Sequence, residues 1–276
     1  MSGTGTNDGA DRTNPAAADS RRKQFRWADY QAVLFDLDGV ITPTAEIHER
    51  AWADLFAGYE YTPADYLAYI DGKPRYDGVR AFLASRGVVL PEGSPDDDPG
   101  DDTVCALGNR KNALFNEILE HEGIAAYPGS QQTLDLLERL GVADGIVSSS
   151  KNAASVLEAS GLAARFDVVV DGVMVAARGL PGKPAPDAYL LGAELLGASP
   201  ARTVVVEDAV SGVAAGAAGS FAVVIGVDRG AGTDALIAHG ATFVVGDLAE
   251  LLETDDADDA GTADPDATDL GVEASA

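Results

Sequence analysis

Short, β-branched apolar runs, each closed by a polar or glycine-containing turn, constrain this chain more than any other feature. They fall at residues 32–35, 145–147, 168–170, 203–206, 222–227 and 242–245. Runs of three to six apolar residues are too short for amphipathic helices. Their apolar character on consecutive positions suits strands buried on both faces of a parallel sheet. Helical patterns separate them, such as 130–140 with Leu134, Leu137 and Leu140 on one side, and 186–196. Strand–helix alternation predicts an α/β fold with a doubly wound parallel sheet. One interval breaks the rhythm. From about residue 47 to 126 only helical patterns occur, at 47–57, 64–70, 79–85 and 109–120. A helical block inserted just after the first strand predicts an α-helical cap over the sheet's carboxyl edge, where open α/β sheets bind ligands.

The domain reading follows: an α/β core from 26–46 and 126–254, a helical cap at 47–125, and two polar ends. Residues 1–25 are Gly-, Ala- and Asp-rich without periodicity, and 255–276 form an acidic Ala/Thr/Gly-rich tail; both are expected to be disordered. The stretch 94–102, with five aspartates and two prolines, is expected to be an exposed loop. It lacks the alternating ligand pattern of a calcium loop.

Composition narrows the function classes. With 45 acidic against 19 basic residues, the net charge of −26 argues against nucleic-acid partners, because phosphate backbones would be repelled. High-salt adaptation and simple compositional bias both account for such acidity. No apolar run approaches the roughly 18 residues needed to cross a bilayer, and the N-terminus lacks the order of a secretory signal. The single cysteine, Cys105, excludes an internal disulfide. These features predict a cytoplasmic protein with no membrane partner, expected to be a monomer.

Chemistry concentrates at the strand ends. The run 32–35 leads into Asp36-Leu37-Asp38-Gly39-Val40. Two carboxylates one residue apart, at a turn that Gly39 permits, can converge on one ion; a capped turn reads equally well from spacing alone. Hard oxygen ligands favour Mg2+, which bridges readily to substrate phosphate. Ser148-Ser149-Ser150-Lys151-Asn152 closes the next strand before a helix, which gives either an anion site or an ordinary helix cap. Lys183, in the proline-braced loop Gly182-Lys183-Pro184-Ala185-Pro186, precedes another helix. Glu207-Asp208 ends the run 203–206. Gly212, Gly216 and Gly219 do not keep the order that dinucleotide binding requires, and instead fit a helix packed close on the sheet.

In this order, strand-Asp-Leu-Asp-Gly-Val, strand-Ser, Gly-Lys-Pro-x-Pro and strand-Glu-Asp resemble the four motifs of the haloacid dehalogenase superfamily, over residues 31–252. The stretches 33–48, 148–152 and 183–187 are similar to the β-phosphoglucomutase-like family within it. The resemblance implies a Rossmann-like core and Mg2+-dependent phosphotransfer through an aspartyl phosphate on Asp36, with Asp38 as general acid/base. Mg2+ would be held by Asp36, the Asp38 backbone carbonyl and Asp208, with Glu207 beside it. Ser148, Ser149 and Lys183 would bind the phosphoryl group. Thr44 and His48 would couple cap closure to Asp38, although an exposed helix histidine is an equal reading of His48. In the loop Asp71-Gly72-Lys73-Pro74-Arg75, Gly72 and Arg75 match a substrate loop. Asp71 stands where that family carries a lysine, and Lys73 sits in a shifted position. Lys111, Ser150, Lys151 and Asn152 would complete the substrate contacts, with Trp52 more a packing residue than a sugar platform. Pro43 replaces a carboxylate common in the first motif. The implied reaction is the conversion of β-glucose 1-phosphate to glucose 6-phosphate. A sugar-phosphate phosphatase is the alternative, and a catalytically silent binding domain a third reading.

Overall fold

The computed structural model describes residues 15–252. Six parallel strands form one sheet in the order β3-β2-β1-β4-β5-β6. Helix α1 (Pro15–Gln24) precedes β1 (Ala32–Phe35). A wholly helical segment follows: α2 (Thr44–Leu55), a single turn α3 (Pro63–Asp65) running into a π turn (Tyr66–Ile70), α4 (Arg75–Ser85) and α5 (Val104–Glu122). The chain then alternates through α6 (Pro128–Leu140), β2 (Ala143–Val147), α7 (Ala153–Ala159), β3 (Val169–Val170), α8 (Gly172–Ala177) and α9 (Asp187–Leu195). It finishes with β4 (Thr203–Glu207), α10 (Val210–Ala218), β5 (Val223–Val227), α11 (Thr233–Ala238) and β6 (Phe243–Val245).

Strand β1 shows why the apolar runs had to lie inside. Val33 and Phe35 pack into a core with Leu134, Leu137, Val204 and Phe243, while Leu34 points to the opposite face and meets Tyr189, Val205 and Val213. With both faces covered, a period of two leaves no polar position. Helix α10 lies close because Gly216 is a glycine: a Cβ there would stand 3.1 Å from Val205 and Val224 side chains. The order reverses at β1, whose neighbours are β2 and β4. The loops after β1, β2 and β4 therefore open into one crevice at the carboxyl edge.

The helical segment has an apolar cluster of its own, including Trp52, Phe56, Tyr66, Val79, Phe82 and Leu107. Helix α5 starts at Val104, earlier than the periodicity indicated, because the Thr103 hydroxyl accepts from Ala106 N–H at 3.0 Å and caps it.

Residues 15–24, expected to be disordered, form α1. Tertiary contact supplies what their polar composition lacks. Ala18 is buried, Phe25 packs edge-on against Trp27 at 4.7 Å and against Phe243 at 5.5 Å, and Arg22 pairs with Glu250 at 2.9 Å. The expectations for residues 1–14 and 255–276 lie outside the described residues.

Candidate active site

The ladder carries β1 one residue further, since Asp36 N–H donates to Val206 O at 2.9 Å. The chain then turns sharply, with Gly39 at φ +87° and its N–H donating to Thr42 O at 2.8 Å. A Cβ on Gly39 would lie 1.8 Å from Asp208 Oδ2, so the β1 and β4 loops approach as closely as backbone allows. Asp36, Glu207 and Asp208, all buried, bring carboxylate oxygens within 4.8 Å of one another.

Lys183 reaches into this group. Its Nζ donates to Asp36 Oδ1 at 2.5 Å, to Val147 O at 3.1 Å and to Glu207 Oε1. Burial works against its charge, but Asp36 and Glu207 outweigh burial and hold the ammonium above its usual range. One cation does not balance three carboxylates. Burial, with Glu207 and Asp38 nearby, pushes Asp36 well up despite Lys183; burial followed by Asp71 and Asp36 does the same to Asp208. A cluster under this repulsion, offering only oxygen donors, fits a hard divalent cation such as Mg2+.

Asp38 faces away from that group. Its Oδ1 accepts from Thr44 Oγ1, itself bonded to Thr42 Oγ1 at 2.9 Å, and lies 3.5 Å from His48 Nε2. Its Oδ2 is 3.4 Å from Ser148 Oγ. Burial opposes the charge, but His48, Thr44 and Lys111 outweigh it and bring Asp38 down to about 2. His48 is not exposed: it stacks on Phe115 at 4.2 Å, and Lys111 Nζ contacts its Nδ1. Lys111 is buried beside Trp52 and Phe115, and burial brings it down to about 7.

Tyr66 and residues 70–77 roof a cavity of about 410 Å³ above these groups. The roof is seated on the sheet edge. Ser149 Oγ donates to Gly72 O at 3.0 Å, and a Cβ on Gly72 (φ +67°) would stand 2.1 Å from Ser211 Oγ. Nearby, Asn152 Nδ2 donates to Asn112 Oδ1 at 2.5 Å, and Lys151 Nζ lies 5.4 Å from the centre of the Tyr76 ring.

The residues singled out from sequence therefore converge. Asp36, Asp38, Ser148, Lys183, Glu207 and Asp208 form the floor, while Gly72, Lys73 and Arg75 form the roof. His48, Trp52, Lys111, Ser150, Lys151 and Asn152 line the walls, and Thr44 stands behind Asp38. Several have commitments that spacing does not reveal. Ser149 holds the roof, Lys73 Nζ donates to Tyr69 O at 2.8 Å, and Trp52 is buried and stacked on Phe56 at 5.5 Å. Arg75, which lies beside the Tyr76 ring, forms no ion pair among the described residues. Asp71, noted in the sequence only as a departure from the family's lysine, lines the cavity, and burial and then Glu207 raise it to about 6. Tyr189 escaped the sequence reading. Tyr189 donates from beneath to Glu207 Oε1 at 2.7 Å, its phenol pushed well up by burial and by Glu207. Its only signal was a place in the first helical turns after the Lys183 loop.

Residues 30–219 match the haloacid dehalogenase-like hydrolase family. A β-phosphoglucomutase of Mycobacterium tuberculosis is 46% identical over 239 residues, covering 80% of this chain and 91% of that protein. Hexitol phosphatase A of Escherichia coli is 36% identical over 187 residues, 67% of this chain and 77% of that one. Among solved structures, a variant of CbbY from Rhodobacter sphaeroides in complex with xylulose-(1,5)bisphosphate superposes with a TM-score of 0.66. It is 24% identical, with 82% of this chain and 98% of that chain covered.

Proposed function

This chain is an enzyme of the haloacid dehalogenase-like hydrolases, in their β-phosphoglucomutase-like branch, and from that membership we propose that it is a Mg2+-dependent β-phosphoglucomutase converting β-glucose 1-phosphate to glucose 6-phosphate. The observation that carries the reading is a roofed cavity with cationic groups on two sides. Lys183 stands at Asp36 on the floor, and the guanidinium of Arg75, with no ion pair among the described residues, stands in the roof. A sugar bisphosphate, which a mutase must hold while its second hydroxyl is presented, calls for both; a monophosphate calls for one.

In this reading Asp36 attacks phosphorus and becomes an aspartyl phosphate, splitting one difficult displacement into two easier ones. Lys183 and Ser148 hold the phosphoryl oxygens. Asp36, Asp208 and the Asp38 carbonyl, with Glu207 beside them, would hold Mg2+, which when bound neutralises charge on the transferring group. Asp38 serves both halves. Kept ionised by His48, Thr44 and Lys111, it is free to take the proton of the incoming hydroxyl. When a phosphate ester arrives, the added negative charge favours its protonated form, and it then supplies the proton to the leaving sugar oxygen. Segment 47–125 acts as a cap: seated as here, it shields Asp36 from water and brings His48 onto Asp38, beside Thr44 at the start of α2.

Incubation with β-glucose 1-phosphate, Mg2+ and a trace of glucose 1,6-bisphosphate tests the proposal. Glucose 6-phosphate is the expected product. Inorganic phosphate alone would make the protein a phosphatase, the reading that its similarity to a hexitol phosphatase keeps open. No product from any phosphate ester would contradict both.

A further inference from the structure

Glu207 is held on every side by protein. Oε1 accepts from Tyr189 OH at 2.7 Å and from Lys183, and Oε2 accepts from Ala209 N–H at 3.2 Å. Behind it Gly212 leaves no slack, since a Cβ there would lie 1.7 Å from Oε1. Lys183 is equally committed. Its three protons have three acceptors, Asp36, Glu207 and Val147 O, and its Nζ sits 5.0 Å from the centre of the Tyr189 ring. Tyr189 thus touches both partners: its hydroxyl fixes the carboxylate, and its ring underlies the ammonium.

We propose that Tyr189 is a positioning residue for phosphoryl transfer, whose hydroxyl locks Glu207 so that Lys183 is divided between Glu207 and Asp36. Tyr189 is fully buried in α9, out of reach of the substrate, and acts only through these two side chains. Without the hydroxyl, Oε1 keeps only Lys183 as a donor, and the carboxylate is held by Lys183 and the Ala209 N–H alone. Lys183 then follows Glu207, and its aim at the phosphoryl group on Asp36 degrades. The effect belongs to the transition state, where charge on the transferring group is greatest, and not to binding of the sugar.

The inference rests on phosphoryl transfer through Asp36 but not on which sugar phosphate is used. Its test compares the parent full-length chain with Tyr189→Phe and Phe221→Leu, using β-glucose 1-phosphate and, in parallel, para-nitrophenyl phosphate. Tyr189→Phe keeps the ring and removes only the donor. Phe221 meets that ring edge-on at 6.0 Å and has no polar group to offer Glu207, so Phe221→Leu reports packing alone. In Tyr189→Phe, kcat is expected to fall about tenfold or more with KM unchanged, as for loss of a hydrogen bond to a charged group. Phe221→Leu is expected to melt earlier with kcat retained. Parental kcat in Tyr189→Phe, or an equal loss in Phe221→Leu, would overturn the proposal. A parent inert towards both probes would sink the functional reading, and this inference with it.

Discussion

Lys183 shows how much of the site is decided by single side chains. A buried ammonium with all three protons on protein oxygens is oriented before substrate arrives, which is where most electrostatic catalysis originates. Lys183→Ala is expected to lower turnover by about 10²-fold or more while keeping the parent's far-UV circular dichroism, because carboxylates already pushed upward can take up protons instead. Gly39→Ala tests the loop contact. With φ at +87° and Asp208 Oδ2 at 1.8 Å from the added Cβ, the loop must shift, and weaker Mg2+ binding by calorimetry is the expected result. Asp36, Asp38, Glu207 and Asp208 were legible in the sequence because charge at the end of an apolar strand demands a partner, and Lys183 because it sits in a proline-braced loop before a helix. Tyr189 was not, since an aromatic residue at helical spacing reads as core. The burial of His48 and Lys111 was equally hidden, as it depends on how α2 and α5 pack.

At the scale of elements, strands were legible and helix ends less so. The runs at 32–35 and 203–206 correspond to β1 and β4, whereas β3 shrank to two residues. Helix α1 was missed because its anchor, the aromatic group of Phe25, Trp27 and Phe243, joins residues far apart in sequence. Two elements carry tests. Phe115 of α5 is fully buried and stacks on His48, so Phe115→Ala is expected to destabilise by about 3–5 kcal/mol in denaturant titrations. Asp144 of β2 is raised to about 6, chiefly by burial and in spite of Arg165. A carboxyl raised in the fold contributes stability only while it is protonated. That contribution is present below the ordinary carboxylate range and lost as pH rises through about 6. Asp144→Asn is therefore expected to raise Tm by about 2–4 °C at pH ~8 and to leave it unchanged at pH ~4. A gain of equal size at both pH values would contradict the assignment.

For the whole molecule, the helical insertion was readable from the break in alternation, but not how it is seated. Contacts such as Ser149 with Gly72 and Asn152 with Asn112 join polar loops distant in sequence, and no periodicity announces them. The net charge of −26 acts at this scale too. Screening of self-repulsion is expected to raise Tm between about 0.1 M and 2 M NaCl; an unchanged Tm would remove salt adaptation as a reading of the acidity. Fold, insertion and cavity all serve one central claim, that a phosphoryl group resides on Asp36 between two transfers. The direct measurement is an acid quench during turnover of 32P-labelled β-glucose 1-phosphate, followed by peptide mapping. The account predicts label on the peptide containing Asp36 and none in Asp36→Asn. Continued turnover with label elsewhere, or with none on the chain, would contradict it.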